Sequence, residues 1–193
     1  MKEIVIASNN SGKIKEVQEI FGNDFKIISM KDAGIEIDVE EDKNTFQGNA
    51  IKKAETIAKK LGDGRWVLSD DSGIEIEALD NFPGIYTKRW FDGTDRQRNL
   101  ALINKVNDEA KNDRKINFVT AIAVSNGKEN FYELGIITGN VTLEPRGENG
   151  FGFDEIFELE NGKTLAELTN DEKNEISARK IALEKIKNII KKE

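Results

Sequence analysis

Trp66-Val67-Leu68-Ser69-Asp70-Asp71-Ser72-Gly73-Ile74-Glu75-Ile76 is the stretch on which the fold of this chain turns. The apolar run Trp66 to Leu68 reads as a strand that meets two adjacent carboxylates. Ile74, Ile76 and Ala78 then alternate with Glu75 and Glu77 as in a half-exposed strand. Adjacent carboxylates repel one another and are costly to desolvate unless a cation or hydrogen bonds compensate. A turn with solvated aspartates is the plainer reading. Alternation along a strand would instead send Asp70 and Asp71 to opposite sides, so that one of them faces a site.

Working outward, Glu3 to Ser8 reads as a short buried strand, Lys13 to Phe21 as a helix and Phe25 to Ser29 as a second strand. Phe46, Ala50, Ala54, Ile57, Ala58 and Leu61 recur at helical spacing, and Gly62 is placed to end that helix. Arg96 to Val106 reads as helical. Asn117 to Ser125 and Glu129 to Thr138 flank Asn126-Gly127, a strong hairpin signal. Thr169-Asn170-Asp171-Glu172 matches a capping box and opens a C-terminal helical region. Strand, helix and strand near the start with a hairpin later predict an α/β fold with a mixed sheet. No repeat, low-complexity tract or linker interrupts the chain, so residues 1–193 are expected to form a single domain.

Composition narrows the chemistry. The 193 residues include no His and no Cys. This excludes a Ser-His-Asp triad, a Cys nucleophile and zinc held by thiolate or imidazole. What remains is carboxylates, Lys, Arg, hydroxyls and a hard, oxygen-loving metal ion such as magnesium or manganese, which shares carboxylates with substrate phosphates. A formal charge of −7 argues against a nucleic-acid polymer as partner, though a few local cations suffice for a nucleotide. No apolar run approaches the ~20 residues that span a bilayer, and Ile4 to Ala7 is too short for a signal-peptide core. With no Cys, a cytoplasmic protein that engages no membrane is expected.

Four further stretches could carry chemistry. Ser8-Asn9-Asn10-Ser11-Gly12-Lys13 lies between the first strand and the first helix, where backbone N–H groups and a Lys make an anion site, although ordinary turns look similar. Glu40-Glu41-Asp42 precedes the Phe46 to Leu61 helix and either favours its dipole or supplies a second metal ligand. In Asn149-Gly150-Phe151-Gly152-Phe153-Asp154, two glycines let backbone approach a flat ring that could stack on Phe; a Gly-bent strand with core Phe is the alternative. Lys173, Ser177 and Arg179 add cations and a hydroxyl. In one continuous helix Lys173 and Arg179 would face different sides, so a shared ligand requires a break between Asn174 and Ser177.

In this order, SNNSGK, Glu41 with the TF-x-x-NA of Thr45 to Ala50, SDDSGIEIEAL, NFPGIYTKRW, ENGFGFDEIF and LAELTNDEKNEISAR resemble the inosine triphosphate pyrophosphatase family over nearly the whole chain. The resemblance implies an elongated mixed β-sheet flanked by helices, with two lobes around a central nucleotide-binding cleft. It implies Mg²⁺-dependent hydrolysis of non-standard purine nucleoside triphosphates (ITP, dITP, XTP) to monophosphate and pyrophosphate, and a homodimer. By the same resemblance Ser8, Asn9, Asn10, Ser11, Gly12 and Lys13 would hold phosphates. Glu41 and Asp71 would hold the metal, with Asp71 the base for the attacking water and Ser72 touching substrate. Phe151, Gly152, Phe153 and Asp154 would border base and ribose, and Lys173, Ala178 and Arg179 would meet the other end of the nucleotide. The family usually carries His where Ala178 stands and Glu where Gly48 stands. The first change touches base selectivity, the second the surroundings of the metal. Relaxed or shifted base specificity, or a nucleotide-binding regulator without turnover, are the alternatives.

Overall fold

The computed structural model describes residues 2–8, 11–110 and 112–192. Strand β1 (Lys2–Ile6) leads to helix α1 (Ser11–Phe21) and strand β2 (Phe25–Ser29), then helix α2 (Phe46–Leu61) and strand β3 (Trp66–Ile76). A two-residue strand β4 (Phe82–Pro83) precedes helix α3 (Asp95–Glu109) and the long strands β5 (Lys115–Ser125) and β6 (Asn130–Val141). Strand β7 (Phe157–Glu158) and helices α4 (Asn170–Glu175) and α5 (Ala178–Ile190) complete the chain. The sheet order is β2-β1-β3-β5-β6-β7, with β4 on β3. β1 pairs in parallel with both β2 and β3, while β4 on β3 and β7 on β6 are antiparallel. The sheet is therefore mixed, and the α/β expectation holds.

Two compact units form: Met1–Ser72 with Thr120–Gly135 and Arg179–Glu193, and Gly73–Val119 with Ile136–Ala178. In the first unit the period of two along the strands decides which helix packs where. Ile4, Ile6, Trp66 and Leu68 point into one core with Val17 and Phe21 of α1 and Ala182, Leu183 and Ile186 of α5. Val5, Ala7 and Val67 point the other way, into a core with Ile57 and Ala58 of α2 and Ile35 and Val39. The second unit has its own core, in which Ile74, Ile76, Ile116 and Val141 meet Leu102, Ile103 and Val106 of α3.

Helix α2 forms as its pattern predicts. Thr45 caps it by accepting the Gly48 N–H at 3.0 Å, and the Gly62 N–H closes it onto the Ala58 carbonyl. Three local expectations are corrected. Asp70 and Asp71 lie within one uninterrupted strand, not a turn, and that strand stops at Ile76 so that Ala78 falls in a 3-10 turn over Glu77–Leu79. The β5–β6 connection spans residues 126–129, because the Asn126 side chain accepts the N–H groups of Lys128 and Glu129 and widens the loop. Glu41 and Asp42 stay outside the first turn of α2 and pair with Lys53 and Lys52, so they serve no dipole there. The helix break required near Ser177 is present: α4 ends at Glu175 and α5 begins at Ala178.

Candidate active site

The order β2-β1-β3 reverses direction at β1, with α1 and α2 crossing on opposite faces of the sheet. In open α/β sheets ligands settle in the crevice beyond the carboxyl ends of the strands at such a reversal. β1 ends at Ile6, its ladder with β3 ends at the Ile6–Leu68 pair, and β3 continues beyond it as Ser69, Asp70 and Asp71. The topology thus delivers both aspartates to the switch point, beside the start of α1.

Asp70 faces the cations. Its carboxylate accepts from Lys13 Nζ at 2.9 and 2.8 Å and from Arg179 Nη2 at 3.3 Å, and Arg179 also reaches Glu16 at 3.1 Å. Burial alone would raise the Asp70 pKa, but the attraction of Lys13 and Arg179 outweighs it and holds the carboxyl below its usual range. Arg179 is itself half-buried, and although that burial works against its charge, its two carboxylate neighbours, Asp70 and Glu16, hold its pKa above the usual value. This is a cluster in which cations are stored on a carboxylate at the mouth of a helix N-terminus.

Asp71 faces elsewhere. Its Oδ2 accepts from Asn49 Nδ2 at 3.0 Å, and its pKa is pushed up, first by burial and further by the nearby Glu41 carboxylate. Glu41 lies 3.0 Å from Lys53 Nζ. The alternation argument holds in a stronger form, since each aspartate has its own partners. Among the described residues no three acidic side chains gather into a cage. An all-oxygen pair, half-buried and electrostatically under-compensated, suits instead a hard divalent ion that completes its shell with water and substrate oxygens.

The remaining expected site residues fall into place unevenly. Ser8 follows β1 and donates its N–H to the Ile6 carbonyl, and Ser11 and Gly12 open α1. Asn9 and Asn10 lie outside the described residues. Ser72 donates to Thr120 Oγ1 at 3.0 Å.

In the second unit the glycine-flanked aromatics split roles: Phe151 is 78% exposed, whereas Phe153 is core. Gly150 and Gly152 take positive φ (79° and 65°), which turns Phe151 outward. Asp154, only 4% exposed, accepts the Phe151 N–H at 2.8 Å and pairs with Lys173, whose ammonium stands 4.7 Å from the Phe151 ring centroid. Asn99 of α3 donates to the Gly152 carbonyl at 2.8 Å and Asp95 accepts the Gly152 N–H at 2.9 Å, so the loop is pinned. A Cβ on Gly150 would run into the Asp154 carboxylate and sit at a strained φ. Gly150→Ala is therefore expected to cost about 1–3 kcal/mol of stability, read as a lowered urea midpoint. An unchanged midpoint would mean that the loop simply moves aside.

Sequence reasoning missed Asn49 and Lys53. Both lie along the stripe of α2 that also carries buried Phe46, Ala50 and Ala54, and polar residues on an apolar stripe were the available signal. At the two departures, Ala178 is 2% exposed, and a Cβ on Gly48 would meet Thr45 Oγ1 at 2.8 Å and Lys43 Cβ at 2.9 Å.

The sequence model of the Ham1 family matches residues 4–189. The chain is 42% identical over 200 residues to a dITP/XTP pyrophosphatase of Clostridium perfringens, covering 99% of this chain and 98% of that protein. It is 41% identical over 197 residues to the protein of the same name in Bacillus subtilis, covering 98% of each. The solved structure of a HAM1 protein from Coxiella burnetii superposes with a TM-score of 0.91 at 36% identity, covering 100% of both chains. With sequence and fold agreeing from end to end, this chain belongs to the Ham1 family.

Proposed function

We propose that this protein is a nucleoside triphosphate pyrophosphatase that hydrolyses dITP, ITP and XTP to the monophosphate and pyrophosphate. The observation that carries the reading is the pairing at the switch point: cations on Asp70, and a half-buried Asp71 with a raised pKa beside Glu41. The names of the relatives supply dITP and XTP, and the family resemblance adds ITP. Lys13, with the backbone N–H groups of Ser8 to Gly12, takes the phosphates, and Lys13 exchanges Asp70 for a phosphate oxygen. Glu41 and Asp71 are the residues that would hold Mg²⁺, with Mn²⁺ a substitute. When bound, the ion neutralises phosphate oxygens and lowers the pKa of its water. Asp71 takes the proton of the water that attacks the α-phosphorus. The bond from that phosphorus to the bridging oxygen breaks, and pyrophosphate leaves. Ser72 contacts substrate, the exposed ring of Phe151 stacks the base with Gly152 beside it and the buried Phe153 and Asp154 supporting the loop, and Lys173 and Arg179 meet the nucleotide, with Ala178, 2% exposed, behind them. A homodimer, a cytoplasmic setting, and 1–193 working as one functional domain complete the proposal on the family resemblance. Among the described residues no helix is long and apolar enough to cross a membrane.

The test is pyrophosphate and monophosphate release from dITP, XTP, dGTP and dATP, each with Mg²⁺ and with EDTA. Metal-dependent release that favours dITP and XTP is expected. Equal release from all four keeps the chemistry and assigns relaxed specificity, for which Ala178 in place of the usual His is the motive. Nucleotide binding with no release would make the protein a regulator.

A further inference from the structure

We infer that Asn49 is a positioning residue for Asp71, an assignment that rests on the pyrophosphatase reading above. Asn49 is 2% exposed in the first turns of α2, amid Phe46, Ala50 and Ala54. A primary amide in such a place is costly unless both its ends are satisfied. Here both ends are used. Oδ1 accepts the Lys43 N–H at 2.8 Å, and Nδ2 donates to Asp71 Oδ2 at 3.0 Å.

The first bond fixes the second. Because the Lys43 N–H can only be met by the amide oxygen, the NH₂ group must point at Asp71, and an NH₂ group can hold only an acceptor. One carboxylate oxygen of Asp71 is thereby held by a neutral donor, and its other oxygen keeps a defined direction for water and metal. The same side chain ties down the backbone at Lys43, two residues beyond Glu41, so Asp71 and the segment that follows Glu41 are referenced to one point on a helix. Gly48 belongs to this arrangement. A Cβ there would press on Lys43 Cβ at 2.9 Å and on the capping Thr45 Oγ1 at 2.8 Å.

The test compares Asn49→Ser and Asn49→Asp with the wild type, measuring kcat and KM for dITP at saturating Mg²⁺, and melting temperature. Asn49→Asp keeps an acceptor for Lys43 but turns a like charge on Asp71; Asn49→Ser removes the reach without adding charge. The expected result is a fall in kcat of about 10–100-fold, with KM within about threefold, and a larger fall for Asp than for Ser. A merely structural residue would lower the melting temperature of both variants and leave kcat of the folded fraction intact, which would overturn the assignment. Should neither variant fold, the side-chain NH₂ resonances of Asn49 in the wild type decide. They are expected to shift on adding Mg²⁺ with a non-hydrolysable dITP analogue, and unmoved resonances would overturn the assignment. A wild type that does not hydrolyse dITP sinks the pyrophosphatase reading and this inference together, whereas an active wild type with unaffected variants sinks only the inference.

Discussion

Asp71→Asn is expected to lower kcat for dITP by about 10²–10⁴-fold while leaving the protein at least as stable as the wild type at neutral pH. The two halves of this result come from one cause. Burial, and then Glu41, push the Asp71 pKa up, which means that the folded state disfavours the ionised form. Its contribution to stability is fully present while the group is protonated, and it is lost as pH rises through the folded-state pKa. Asparagine has the same shape, still offers an oxygen to the Asn49 NH₂ group, and removes the like charge facing Glu41. It cannot accept a proton from water. Steady-state kinetics with thermal melts at neutral pH checks both parts. Turnover at the wild-type rate would remove Asp71 from the chemistry, and a large loss of stability would make it structural.

Asp70→Asn should behave in the opposite way. Asp70 is largely shielded from solvent and neutralises Lys13 and Arg179 together. Removing one partner of such a part-buried cluster leaves its cations under-compensated, at a cost below the about 3–5 kcal/mol of a fully buried pair, because Lys13 and Arg179 are 29% and 21% exposed and Arg179 keeps Glu16. The Asp70 pKa is depressed, although burial works against this. Its contribution is therefore complete above the unfolded aspartate value, about 3.9, and fades as pH falls through the lower folded-state pKa. Urea unfolding of both proteins across the acid range should show a wide gap at neutral pH that narrows only below roughly pH 4. A gap under about 1 kcal/mol at neutral pH would place the pair among ordinary surface ion pairs.

These two aspartates also mark how far the sequence could be read. Trp66 to Leu68 announced a strand, and the capping signals at Gly62 and Thr169 were legible because each acts within a few residues. Whether Asp70-Asp71 interrupted the strand was not legible, since the partners that compensate the two carboxylates, Lys13 and Arg179 for Asp70 and Asn49 for Asp71, come from distant parts of the chain. The surroundings of Glu41 depend on Lys53, which comes from the next helix. Phe151 and Phe153 look alike in sequence. They are separated only by the turn of the glycines and by the pinning of the loop on Asn99 and Asp95.

The uninterrupted course of β3 through its acidic pair has a consequence for when order is established. Reactive groups on loops are commonly arranged as substrate arrives, and the entropy lost in arranging them is charged against binding or the barrier. Here the backbone under Asp70 and Asp71 is strand, continuous with residues that pair with β1. Its conformational freedom is surrendered once, at folding, to a ladder that also stabilises the core. On the proposed function, substrate would meet carboxylates whose backbone is already set, so that little of its binding energy would be diverted to preorganising them.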